Sequence, residues 1–501
     1  MENVKRAAQM LAKWRDWPFV LAFLLLIRFA YRAFEVSSSF PNLFEPQTAF
    51  FAPESAFPGF AALIVAVALL LAVSWYRGRR DKPSRFVGFF QHNWRGFLLG
   101  LVFFLIYFVL ANALNPRDFN TNNVYFAADT NSWKVRIATD DGYLMGMRGI
   151  HPLAMLIIRP AVYAVAFLFN ADVFHAAIML LALTGAASIA LAWAFIRNSV
   201  GDENYAFLFG AIFGLSTAHL LFNSLMETYI FSASFLVLFF YLLQKQAHFV
   251  WLILIGVGTF GITISNLVQN SIGLLLVDLK IRRALLLVGA VLVAAFALTF
   301  VNRALHPNSD FFFAGGPQGE LQHYIDVTFE TGILPRARLA AANMFMFSVV
   351  APQPFLDDAP RDDDSRFPRF NFMLGPRLSQ FVGTGRIAIV VWLAIFAGAL
   401  VSFVQLLRRE GLSVPNRFAL AFLACLAFNL VFHAVYAFDP FLYSADWTYA
   451  LVLFTAIVLR ALAANTWLQI ALLALIALLT LNNLFFLNFL MTGLSPFVLG
   501  P

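Results

Sequence analysis

Apolar runs of roughly the length that spans a bilayer recur down the whole chain, and they constrain what it can fold into more than any motif does. They lie at about 18–36, 57–76, 97–114, 174–197, 205–223, 226–243, 249–264, 265–279, 285–302, 386–407, 417–436, 445–462 and 466–490, each closed by charge or turn residues. A helix needs roughly 20 such residues to cross the hydrocarbon core, where each backbone N–H and C=O must be satisfied within the segment. Composition agrees: 61% of the 501 residues are hydrophobic and 12% are charged, against roughly half and about a quarter in soluble domains. Soluble enzyme, disordered chain and nucleic-acid binder are excluded. The prediction is an all-α polytopic membrane protein of about 13 transmembrane helices, in contact with membrane lipids.

The net charge of +7 reads as orientation, because short loops rich in Lys and Arg stay cytoplasmic. Lys5, Arg6, Lys13 and Arg15 precede the first run, and Arg77, Arg79, Arg80, Lys82, Arg85 and Arg95 fill the loop after the second. Arg197, Lys245, Lys280 with Arg282 and Arg283, Arg408 with Arg409, and Arg460 mark later inside ends. These parities agree if one further apolar run, 151–170, does not cross but lies against the outer leaflet as a juxtamembrane helix. Its Pro152 suits a helix start, where the missing N–H costs nothing. The N-terminus is then cytoplasmic, and the insertions 115–150 and 303–385 and the C-terminus are extracytoplasmic. The single cysteine, Cys425, lies in an apolar run, so the insertions order themselves without disulfides. The first helix has no small-residue cleavage site and reads as uncleaved.

Chemistry is expected at the outer ends. Loop 115–150 is dense in carboxylates and Asn, and Asp129 follows the apolar approach Val124-Tyr125-Phe126-Ala127-Ala128. A partly desolvated carboxylate at that boundary suits a general base. Asp118, Asp140 and Asp141 compete for the role, and each of these acids also reads as a helix cap or a solvated residue. Arg148 and His151 read either as a turn entering a helix or as a cation and an imidazole facing a phosphate. Glu227, in the hairpin Ser224 to Tyr229, either meets a helix dipole or is functional, as acids at membrane depth usually are. Asn266, Gln269 and Asn270 share a helix face. A second polar patch holds His433, Tyr436, Asp439, Tyr443, Asp446 and Trp447. Arg28 and Arg32 lie one turn apart in the first crossing. The run Asp357-Asp358 and Asp362-Asp363-Asp364, interleaved with Arg361 and Arg366, reads as a solvated loop first and a cation site second. No His/Cys metal spacing, Walker A loop or dinucleotide fingerprint is present.

The order of these features resembles the C-type (GT-C) integral-membrane glycosyltransferases, the group that includes protein O-mannosyltransferase-like and bacterial lipid-A-sugar transferases. The likeness runs through Ala128-Asp129-Thr130 in the outer loop, His151-Pro152-Leu153 to Phe169-Asn170, the crossing that ends at Arg197, and the helix pair joined by Ser224 to Tyr229. It covers 97–300, extends weakly through 433–447, and leaves the first two helices as an addition. The resemblance implies an N-terminal pair (1–96), a catalytic core (97–302), an extracytoplasmic region (303–385) and C-terminal helices (386–501). It further implies inverting transfer of a sugar from a polyprenyl-phosphate donor to a hydroxyl of a glycan, lipid or protein acceptor, at the outer face of a bacterial cytoplasmic membrane. Asp129 would be the general base. Arg148 and His151, with Arg303, Arg336 or Arg338, would hold the lipid phosphate; Glu227, Tyr229 and Asn266 would contact donor sugar or phosphate, and Asp140, Asp141, Asp439 and Tyr443 the acceptor or sugar. Some family members carry paired acids at the loop start where Asp129 stands alone, which leaves the base assignment open. No cofactor is required, and a divalent cation is left open. The alternatives are a flippase or transporter of lipid-linked sugars, which should line both leaflets with ionisable groups, and a surface-polysaccharide polymerase or ligase.

Overall fold

The computed structural model describes residues 16–44, 85–169, 171–313, 332–357, 367–372, 378–436 and 439–498. The expected crossing at 57–76, the basic residues before 16 and from 77 to 82, Asn170, and the charged run from Asp358 to Arg366 lie outside them. The chain is helical nearly throughout: α1 (Trp17–Ser38), α2 (Arg85–Leu114), α3 (Thr130–Ala138), α4 (Ala154–Phe169), α5 (Val173–Val200), α6 (Glu203–Leu215), α7 (Thr217–Phe222), α8 (Tyr229–Gln244), α9 (Phe249–Ile262), α10 (Asn266–Asp278), α11 (Ile281–Leu305), α12 (Ile333–Ala342), then α13 (Gly383–Glu410), α14 (Val414–Val435), α15 (Ala445–Val458) and α16 (Thr466–Val498). Between α12 and α13 an antiparallel pair, β1 (Phe355–Asp357) and β2 (Arg369–Asn371), sets Leu356 opposite Phe370.

Among the described residues six helices are long and apolar enough to cross a membrane: His92–Leu114 within α2, and α5, α11, α13, α14 and α16. The protein is therefore an all-α membrane protein. Local chemistry sets the boundaries. Asp172 caps α5 by accepting the His175 N–H, α5 stops at Gly201 with φ +81°, and Asp202 at once caps α6 by accepting from Tyr205. Gly is suited to that left-handed stop because it lacks a Cβ.

Several expected crossings are shorter than the apolar runs suggested. Helices α6, α8, α9, α10 and α15 have 13, 16, 14, 13 and 14 residues, roughly 20–24 Å at 1.5 Å per residue, against a hydrocarbon core of about 30 Å. Helices α6 and α15 fall short of their runs because the chain breaks at Ser216 and Leu459, whereas α9 and α10 end within about two residues of theirs.

Polar contacts gather at the two ends of the bundle. At one, Arg95 pairs with Asp16 at 2.9 Å and Glu203 at 3.6 Å, and Arg197 with Glu203 at 3.2 Å; Arg417 donates to the Val277 carbonyl and Arg460 to Asn416. At the other, loop 115–153 meets the turns 223–228 and 262–266. Both ends of α4 reach that second end: His151 contacts the Ile262 carbonyl, and Asp172, just past α4, pairs with Arg117 at 2.8 Å.

The long helices α2 and α5 approach closely. A Cβ added at Gly96 would lie 2.3 Å from the buried Trp193 ring. Gly96→Val should cost about 1–3 kcal/mol by overpacking, read as a lower thermal midpoint in detergent. An unchanged midpoint would show that the two helices are not packed this tightly.

Candidate active site

The site is built on a loop tied down at many points. Asn115, the first residue past α2, clamps the facing turn with both ends of its carboxamide: Nδ2 donates to the Ser224 carbonyl at 2.8 Å and Oδ1 accepts the Met226 N–H at 2.9 Å. The Lys134 ammonium donates to the carbonyls of Pro116, Arg117 and Phe119; burial pushes it down to about 8, against the pull of Asp118. Thr121 and Thr130 join at 2.8 Å, and Asn122 brackets Ser132 through main chain and side chain. Buried Arg159 of α4 donates to the carbonyls of Arg136, Thr139 and Asp140.

Within this frame the turn before Asp129 is strained. Asn123, Phe126 and Ala127 have φ of +56°, +52° and +62°. That region costs a non-glycine residue about 1–2 kcal/mol, and it persists only where surroundings impose it. Strand β2 does so here: the Phe126 N–H donates to the Phe370 carbonyl at 3.0 Å and the Phe370 N–H to Val124 at 2.7 Å. The Phe126 ring is wedged against Phe372 and Phe441 at 4.3 and 5.2 Å.

The turn delivers Asp129 to Glu227. The Asp129 N–H donates to Glu227 Oε1 at 2.6 Å, while Glu227 Oε2 accepts the Thr228 N–H at 3.0 Å. Asp129 stands at the N-cap of α3, yet its carboxylate makes no capping bond; it is half-buried, whereas Glu227 is 1% exposed. Burial first and the Asp129 charge second push the Glu227 carboxyl well above the usual carboxylate range, against the two N–H groups and Arg136 that pull it down. Arg136, one helical face along from Asp129 and Trp133, has its charge balanced by Asp129 and Glu227 and opposed by Arg148. Its guanidinium lies over the Trp133 ring and donates to the Gly146 carbonyl. Arg148 is exposed beside it.

Two carboxylates and two guanidiniums thus share one end of the bundle. Arg136 was not among the residues singled out from the sequence, although the i, i+4, i+7 spacing of Asp129, Trp133 and Arg136 carries the signal. His151 is the imidazole of the expected pair with Arg148, and it is buried. Burial, with Arg148 and Arg136 adding to it, lowers its pKa to about 4 against the pull of the Ile262 carbonyl, so the ring is neutral at pH 7. Its Nδ1 donates to that carbonyl at 2.6 Å and its ring packs on Trp133 at 5.4 Å: it positions rather than charges the site.

The other expected residues divide. Asp140 accepts from the Tyr163 hydroxyl at 3.0 Å, Asp141 is exposed, and neither acts on the Glu227 or Arg136 charge. The Arg303 guanidinium stacks on Phe311 at the end of α11. Tyr229 packs on Tyr443 at 5.3 Å, and Tyr443 on His433 at 4.6 Å. Asn266 donates to the Ser232 hydroxyl, Gln269 donates to Asn266, and the Tyr449 hydroxyl donates to Gln269; buried Asp446 lies against Asn266 and Ser232 with one carboxyl oxygen unpartnered. Arg336 and Asp439 face each other in a separate cavity of about 760 Å³. Among the described residues no three His, Cys, Asp or Glu side chains gather in a metal-binding group.

Because the folded protein holds the Glu227 proton to higher pH than the unfolded chain does, stability should fall as pH rises from the ordinary carboxylate range through the raised value. Glu227→Gln should flatten the fall of thermal midpoint between pH 5 and 8; an undiminished slope would assign that dependence elsewhere. At the strained turn, Ala127→Gly should keep or raise the midpoint, and Ala127→Pro, which forces φ to about −65°, should abolish the ordered loop, as limited proteolysis would report; a stable Ala127→Pro protein would remove the left-handed turn from the account. No family model matches this chain, and no curated protein or solved structure matches it.

Proposed function

We propose that this chain is a GT-C-like membrane glycosyltransferase that moves a sugar from a polyprenyl-phosphate donor to an acceptor hydroxyl at the outer face of a bacterial cytoplasmic membrane. In this reading about thirteen helices cross, the N-terminus is cytoplasmic, and α4 lies along the outer leaflet, an arrangement supported by the meeting of both its ends with one end of the bundle. The observation that carries the reading is the Asp129–Glu227 pair beside Arg136 and Arg148.

The chemistry follows from unequal environments. Glu227 has both oxygens engaged by backbone N–H groups and is sealed from solvent, so it fixes the loop and offers little to a substrate. Asp129, half-buried and not spent on capping, is the base: it takes the acceptor hydroxyl proton as that oxygen attacks the anomeric carbon. The bond from that carbon to the phosphate oxygen breaks, its electrons leave with the polyprenyl phosphate, and the configuration inverts. Arg136 and Arg148 stabilise the charge that builds on the phosphate. A prenyl tail stays in lipid while its phosphate reaches the arginines. Tyr229 and Tyr443 offer ring faces to the sugar.

General-base help typically contributes about 10²–10⁴ in rate. Asp129→Asn should therefore cut transfer of labelled sugar from a polyprenyl-phosphate donor by at least about a hundredfold, with donor binding retained; wild-type turnover would end the assignment. A second reading, transport of lipid-linked sugars, draws on the buried acid Asp446 within the bundle. It is favoured if liposomes containing the protein translocate donor lipid without a new glycosidic bond, and if Asp446→Asn stops that movement.

A further inference from the structure

We propose that the cavity between the strained turn, α12 and the β1–β2 ribbon is a second binding site, for a carbohydrate carrying a phosphate or carboxylate. Its walls come from segments far apart in sequence: Asn123 and Ala127 of the turn, Arg336 and Asn343 at either end of α12, Arg369 and Asn371 of β2, and Asp439 after α14. At about 760 Å³ it falls in the range of roughly 300–1,000 Å³ found for small-molecule sites. Asp129, Glu227, Arg136 and Arg148 do not line it.

Its lining selects the ligand. Two guanidiniums against one carboxylate leave a positive surplus, and a guanidinium fork matches the two oxygens of a carboxylate or phosphate. The Nε of Arg369 is enclosed and has no hydrogen-bond partner among the described residues, a donor that a buried site normally satisfies. Three carboxamides, from Asn123, Asn343 and Asn371, supply both donors and acceptors suited to sugar hydroxyls. Phe347, Phe355 and Phe372 provide apolar faces for the C–H side of a sugar ring. An unsubstituted hydrocarbon would leave these polar groups desolvated and unpaired, which is costly. Ala127 and Asn123 belong to the turn that carries Asp129, so a ligand here lies one turn from the proposed base. On the reading of Asp129 as that base, and only in this last step, the ligand is the acceptor.

The test measures binding apart from transfer, on the purified full chain in detergent, by calorimetry with glucose 1-phosphate, glucuronate, inorganic phosphate and glucose. Glucose 1-phosphate or glucuronate should bind, with whichever is tighter naming the anionic group, and glucose should bind at least about tenfold more weakly, as loss of a charged hydrogen bond implies. Arg336→Gln and Arg369→Gln should each weaken binding by about ten- to a hundredfold. Asp439→Asn should tighten it, since a like charge is removed; this gain cannot come from misfolding. Glucose binding as well as its phosphate, phosphate alone binding as well as the sugar phosphate, or an Asp439→Asn loss would each overturn the proposal. Asp129→Asn separates the two ideas. If it still transfers sugar while the arginine variants lose the anion, the cavity assignment stands and the base assignment falls; if it is inactive and the arginine variants bind normally, the reverse holds.

Discussion

Glu227 accepts the backbone N–H of Asp129, and the geometry at that end of the bundle depends on it. One buried carboxylate, engaged by Asp129 and Thr228, ties the long loop after α2 to the short turn before α8. A carboxylate sealed from water is costly unless hydrogen-bonded, so the two N–H groups are conditions for its burial. They also set the backbone direction at Asp129 and so the place from which its side chain starts. Asn115 repeats the device two turns of chain away, bonding Ser224 and Met226 of that same turn. The loop is therefore held from the bundle side by groups that cannot be exchanged for water without leaving a buried polar atom unpaired.

On its other side the loop is held by the β ribbon. The left-handed Phe126 and Ala127 would relax if released, and what prevents release is the Val124–Phe370–Phe126 main-chain exchange together with the Phe126 ring among Phe372, Phe441 and Phe486. Strain at one turn is thus balanced by burial of aromatic area, which at about 25 cal/mol per Å² outweighs one or two unfavourable φ angles. Hydropathy alone could not have located this balance, because Tyr125 and Phe370 meet across a very long sequence separation.

That contrast explains what was legible beforehand. Apolar run length is a local property, and it located nearly every described helix, including α4 as a separate element after His151-Pro152. Asp129 and Glu227 were visible because an acid beside an apolar segment is expensive wherever it ends up. The break between α9 and α10 was visible as the end of one run and the start of the next, but not its anchoring: the Ile264 N–H donates to Ile150, and the Leu153 N–H to Gly261, across from another loop. The burial of His151 was not readable in one dimension for a related reason: Trp133 and Ile262, which enclose it, come from other segments. Arg159 and Lys134 escaped notice because their partners are backbone carbonyls, which leave no mark in a sequence.

The same logic bears on why the acids come as a pair. Each acid lies in the field of the other acid's charge and of Arg136. Glu227 is the buried member of the pair. Its own proton affinity is raised by burial first and by the Asp129 charge second. On the proposed reading, Glu227 fixes the loop and leaves the substrate to Asp129. Asp129 and Glu227 are separated by 98 positions, and only the folded loop makes them one titrating unit.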